Sequence, residues 1–145
     1  MRSNIYFDTS ALAKWYLNEP KSDEVEEYIL ARGPVIISDL TVVEMRSLLA
    51  RRRREKSVDP QLETEIFAIF QEDIRKNFLI CRPLAEGLAW GTANLISVLP
   101  DIPLRTLDAL HLWIAKEIGA EILATADRIM AAGGAALGFS VKRFD

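Results

Sequence analysis

The chain has 145 residues, half of them hydrophobic and 27% charged, which suits one folded domain spanning 1–145 and excludes disorder as the main state. Its 18 basic and 21 acidic side chains give a net charge of −3, so no overall basic excess marks a nucleic-acid binder, although Arg51 to Arg54 concentrate positive charge locally. A single cysteine, Cys81, excludes an intramolecular disulfide framework and fits a reducing compartment such as the cytoplasm.

NIYF reads as a short buried strand ending at Asp8. TSALAKWYLN follows with helical spacing, and Pro20 admits a second helix over Ser22 to Ala31, stopped by Gly33-Pro34. PVIIS is the second strand, followed by a helix from Thr41 to Lys56. Residues 60–77 carry Leu62, Ile66, Ile69, Phe70 and Ile74 on one stripe of a long helix. FLIC is a third strand, in which Cys81 reads as a core residue rather than a reactive thiol. A helix is predicted over Leu84 to Leu99. LDALHLWIAKEIG is helical with Gly119 as its stop, EILATA a fourth strand, DRIMAAGGAALG a short helix and FSVKRF a last strand.

Apolar strands alternating with helices predict an α/β fold of three layers, a mostly parallel sheet of four to five strands between helices. Ligands bind such sheets beyond the carboxyl ends of the strands. MRSNIYFD reaches an aspartate too early for a leader's apolar region. The longest uncharged stretch, Gly87 to Pro100, is about 14 residues and too short to span a bilayer, so no membrane association is expected.

Asp8, Glu44 and Asp127 each follow a predicted strand within a few residues, and Asp108 opens a helix. Each has a structural explanation, because negative charge is favoured at helix N-termini. Thr41-Val42-Val43-Glu44 fits a capping box with Thr41 as N-cap, and Asp127 can cap RIMAA. Together they predict more. Parallel strands bring three of them to one edge of the sheet, where clustered carboxylates repel unless protonated or bridged by cations. Oxygen-only clusters suit Mg²⁺ or Mn²⁺, which lower the pKa of a bound water and neutralise a phosphodiester under attack. Other catalytic sets are poorly supplied. There is one histidine, His111, one cysteine, no Walker A pattern and no G-x-G-x-x-G. A receiver-like phosphoacceptor would need paired acids at the first strand, whereas Asp8 is followed by Thr-Ser.

With these residues in place, the chain resembles PIN-domain ribonucleases, in particular VapC-type toxins of toxin–antitoxin pairs. The matching strings are IYFDTSALAKWYLNEP, ISDLTVVEMRSLLARR, LRTLDALHLWIAKEIGAEILATADRIM and ALGFSV; residues 55–100 match by helical pattern only. The resemblance implies a homodimeric RNA hydrolase that uses Mg²⁺ or Mn²⁺ and is silenced by a cognate antitoxin. It implies Asp8, Glu44 and Asp108 as metal ligands and Asp127 as a ligand or an acid behind them. Thr9, Ser10 and Thr125 match small hydroxyl positions beside these acids, with helix capping the plainer role for Thr9 and Ser10. The alternative function is a catalytically silent PIN-like module that binds RNA or protein.

His111 lies one helical turn beyond Asp108 and either supports the acidic site or is a hydrogen-bonded core residue. Arg51 to Arg54 span more than half a helix circumference and read as a solvated helix end, or as a source of one or two phosphate contacts. Trp15 and Tyr16 are adjacent, so one of them is expected either to face a partner or to pack in part against a neighbouring helix.

Overall fold

A computed structural model describes residues 4–145; the first three residues of MRSNIYFD lie outside it. Five strands alternate with seven helices among these residues: β1 (Ile5–Phe7), α1 (Thr9–Tyr16), α2 (Ser22–Arg32), β2 (Val35–Ser38), α3 (Asp39–Arg54), α4 (Pro60–Arg75), β3 (Leu79–Arg82), α5 (Leu88–Val98), α6 (Thr106–Glu117), β4 (Ile122–Thr125), α7 (Arg128–Ala136) and β5 (Ser140–Arg143). The strands form one fully parallel sheet in the order β3-β2-β1-β4-β5.

The sheet is covered on both faces because successive strand residues point to opposite sides. Ile5 and Phe7 of β1, with Val35 and Ile37 of β2, face a core shared with Ala11, Leu12, Val25, Met45 and Phe70 from α1 to α4. Tyr6 and Ile36 face the other way, against Leu95, Ala109, Leu112 and Met130 of α5, α6 and α7. The expected three-layer α/β architecture is therefore observed. Gly91 lets α5 lie tight on α6; a Cβ there would stand 1.9 Å from the Trp113 Nε1.

Several local expectations need correction. The helix after β2 begins at Asp39 rather than Thr41. Ser38 is its N-cap, and the Ser38 amide donates to the Thr41 Oγ1 over 3.3 Å. The helix N-terminus is thus satisfied two residues before the Thr41–Glu44 box, and Glu44, in the second turn, caps nothing. Likewise Asp8 itself caps α1, which removes the capping role from Thr9 and Ser10. The helix predicted from Leu84 starts only at Leu88. Gly87 at φ 82° turns the chain into it, and Leu84 stays exposed. Cys81 is half-buried rather than fully in the core. Burial, with the Asp39 carboxylate beside it, pushes its thiol up to about 12, which keeps it protonated and inert.

Trp15 and Tyr16 are both partly buried, and Tyr16 donates to Asp73 while standing edge-on to Phe70. Arg51 to Arg54 do end a helix, but two of them are tied down. Arg52 pairs with Glu19, and Arg53 and Arg46 together hold the buried Glu63 of α4 at 2.7 and 2.9 Å.

Candidate active site

Parallel alignment brings the carboxyl ends of all five strands to one edge, and the central strand β1 ends there on Asp8. With the chain turning straight into α1, the Asp8 carboxylate accepts the Ala11 amide at 3.0 Å as the helix cap. Ser10 Oγ donates to both its oxygens at 2.8 and 2.9 Å, and Thr125 Oγ1, from the end of β4, donates at 2.5 Å. The same two hydroxyls accept the amides of Ala126 and Asp127, each at 3.0 Å. They thereby fasten the β4 exit to the β1 exit. Asp8 is only 3% exposed, and its bonds all come from neutral donors. Burial raises its carboxyl above the ordinary value, more than His111, when protonated, and these donors lower it.

Glu44 approaches from α3. Its Oε1 accepts Thr9 Oγ1 at 2.7 Å and is in short contact with His111 Nε2. Burial pushes this carboxyl up, but the His111 hydrogen bond, the charge of that ring when it is protonated, and Thr9 outweigh it and leave the group lowered. His111 is buried on α6, and its Nδ1 lies 2.7 Å from Tyr6 Oη, which lies 2.9 Å from Ser38 Oγ.

Asp108 is in the first turn of α6 and nearly buried, accepting the Arg105 amide at 3.2 Å. Asp127 caps α7 through the Met130 amide at 2.8 Å, as the sequence suggested. The exposed Arg105 guanidinium lies 3.8 Å from Asp108 and 3.7 Å from Asp127, linking these two acids.

Asp8, Asp127 and Asp108 are linked through Ser10, Thr125 and Arg105, while Glu44, in the second turn of α3, is held by Thr9 and His111. They are not closed into a cage: among the described residues no set of three or more His, Cys, Asp or Glu side chains is drawn together around a cation position. The donors nevertheless suit a hard divalent ion. They are carboxylate and hydroxyl oxygens, and among the described residues no cationic side chain is bonded to Asp8. Mg²⁺-like ions keep much of their water and take one or two carboxylates plus substrate phosphates rather than an all-protein shell.

Three participants escaped the sequence reading: Tyr6, Ser38 and Arg105. Tyr6 did leave a trace, since a tyrosine inside a buried strand needs a partner for its hydroxyl. The motif strings alone gave no sign of what that partner was.

Comparison with known proteins agrees with the geometry. The PIN domain family model matches residues 5–134. Ribonuclease VapC46 of Mycobacterium tuberculosis is 32% identical over 140 residues, covering 94% of this chain and 95% of the relative. Among solved structures, the Sarcin-Ricin loop cleaving toxin VapC20 of Mycobacterium tuberculosis superposes with a TM-score of 0.70 at 16% identity, over 90% of this chain and 95% of that one. The DNA-bound VapBC of Salmonella typhimurium gives a TM-score of 0.70 at 15% identity, over 99% and 100%.

Proposed function

Since the chain belongs to the PIN-domain family, we propose that it is an RNA-cleaving hydrolase, the toxin of a toxin–antitoxin pair, and that it works in the cytoplasm with Mg²⁺ or Mn²⁺. The observation that supports this best is Asp8 at the carboxyl end of the central strand, buried among neutral donors of the described residues and joined through Ser10 and Thr125 to the Asp127 turn, with Asp108 linked to Asp127 by Arg105.

In this reading Asp8, Glu44 and Asp108 hold the ion, and Asp127 is a further ligand or orients a water beside it. A bound divalent ion supplies an acidified water and a counter-charge for the phosphodiester. The protein's part is positional. Ser10 and Thr125 fix the Asp8 carboxylate from two sides, and Thr9 does the same for Glu44. Because burial makes ionised Asp8 costly, the site favours a cation that restores its balance. Arg105, exposed at the mouth, is placed to meet the RNA backbone once Asp108 and Asp127 have another partner.

The relatives' partners have surfaces to correspond to here. Trp15, Leu30 and Phe78 flank an apolar groove between α1, α2 and the start of β3, suited to the apolar face of an antitoxin segment. The exposed Trp90 and Val98 of α5, a helix without charged residues, suit a second copy of the chain. No helix among the described residues is long and apolar enough to cross a membrane.

The direct test incubates the purified chain with total RNA in Mn²⁺, Mg²⁺ and EDTA, beside an Asp8→Asn variant of verified fold. Cleavage that needs the metal and is lost in the variant supports the reading. Cleavage that survives EDTA or Asp8→Asn overturns the site assignment, and intact RNA in every lane favours the silent binding module instead.

A further inference from the structure

The Glu44 side chain sits at the end of a buried line of polar groups that crosses the sheet from β2 to α6. Ser38 Oγ, Tyr6 Oη and His111 Nδ1 are spaced 2.9 and 2.7 Å apart, and His111 Nε2 touches Glu44 Oε1. Ser38 and Tyr6 are fully buried and His111 is 2% exposed, so each polar atom must be satisfied by the next rather than by water.

Donor chemistry gives this line a direction. An ionised carboxylate only accepts, so His111 must present Nε2–H to Glu44. In the neutral ring Nδ1 then accepts, and the hydroxyl aimed at it is that of Tyr6. With its proton so used, Tyr6 Oη accepts from Ser38 Oγ–H. Thr9 Oγ1, 2.7 Å from Glu44 and 3.4 Å from His111 Nε2, donates to the carboxylate as well. Both donors reach Oε1, and among the described residues no hydrogen bond reaches Oε2.

We propose that Ser38, Tyr6 and His111 are positioning residues: a one-way hydrogen-bond chain, Ser38 to Tyr6 to His111 to Glu44, that locks His111 as its Nε2–H tautomer and pins Glu44 Oε1 so that Oε2 is presented to the metal pocket. Only the last clause rests on the metal-ligand role proposed for Glu44; for the neutral ring, the tautomer and the direction of the chain follow from the contacts alone. Partners of this kind behind a metal ligand typically change metal affinity or activity by about 10- to 100-fold when removed.

His111 is the only histidine of the chain, so selective ¹⁵N labelling of imidazole gives a single ring to observe by NMR. With the pH raised until the ring is neutral, the full chain without metal is expected to show protonated Nε2 and unprotonated Nδ1. Tyr6→Phe keeps the ring and removes the donor. It should let the two tautomers mix and weaken Mn²⁺ binding by about tenfold in calorimetric titration, with KM for RNA little changed and kcat reduced. Ser38→Ala, one bond further away and small, should act in the same direction more weakly, and serves if Tyr6→Phe does not fold. A protonated Nδ1 in the neutral ring of the unaltered chain overturns the proposal. A folded variant that binds Mn²⁺ as tightly as the parent overturns the clause that presents Oε2 to the metal. The tautomer is read without metal or RNA. A chain that shows it yet cuts no RNA therefore counts against the nuclease reading alone, and one that cuts RNA with Nδ1 protonated counts against the chain of bonds alone.

Discussion

Replacing Asp8 by asparagine should make the metal-free protein more stable while abolishing its activity. The perturbation is nearly isosteric. Asparagine caps helices as well as aspartate does, so the 3.0 Å bond from the Ala11 amide is kept, and its amide can donate to the Thr125 or Ser10 hydroxyl in place of accepting from it. What disappears is a carboxylate that is 3% exposed. Taking such an ion from water costs several kcal/mol, and hydrogen bonds to it return about 1.5–3 kcal/mol each. The carboxyl is nonetheless raised above its ordinary value of 3.8, so desolvation wins and the neutral side chain is the more stable occupant. A net gain of about 1 kcal/mol corresponds to about 3 °C in Tm for a chain of this size. The pH dependence fixes the sign. A carboxyl with a raised folded-state pKa binds its proton more tightly when folded, so the parent loses stability as pH rises from the unfolded value through the folded one. The gap between variant and parent is therefore small in acid and opens towards neutral pH. Thermal melts in EDTA across this range, followed by circular dichroism, read it directly. Saturating Mn²⁺ should reverse the order, because ligand binding stabilises only the parent. A variant less stable than the parent in EDTA at neutral pH, or a gap independent of pH, would refute the reasoning.

Arg105→Gln removes the guanidinium that links Asp108 and Asp127 from an exposed position. Folding stability should change by less than about 1 kcal/mol, while Mn²⁺ binding at low salt tightens a few-fold and the gain fades as salt is added; calorimetric titration at two ionic strengths checks it. Gly91→Ala would place a methyl 1.9 Å from the Trp113 Nε1. Overpacking of this kind costs about 1–3 kcal/mol, so Tm should fall by several degrees with RNA cleavage intact at permissive temperature. Arg51→Gln with Arg54→Gln alters the two arginines of that run left outside the ion pairs of Arg52 and Arg53. Their distance up α3 from Glu44, about 10–15 Å at the helical rise, predicts an unchanged salt dependence of RNA binding, measured by fluorescence anisotropy in Ca²⁺. A flattened slope would instead assign them to the RNA path.

The layers and the acids were legible because they depend on local signals. Apolar runs such as VIIS mark strands buried on both faces, and an acid just beyond a strand is carried to the edge by any parallel arrangement. What joins the acids was not legible. Tyr6 meets Ser38 only because β1 and β2 are neighbours, and meets His111 only because α6 covers that face of β1. These residues lie 32 and 105 positions apart, and their meeting follows from strand order rather than spacing. The capping error at Thr41 has a more local cause. Ser38 and Thr41 are both good caps, and only the length of β2 decides between them.

Strand order also has a consequence for synthesis. Asp8 is made early, but Thr125, which donates to it, and the acids Asp108 and Asp127 come a hundred residues or more later. A parallel sheet whose middle strand waits for β4 is slow to close and cannot be completed from its first half. While the ribosome still holds residues 108–127 in its exit channel, the growing chain has β1, β2 and α3 but no finished pocket. Were these acids the metal ligands proposed above, a nascent chain would be unable to cut the RNAs that are making it until its second half had emerged.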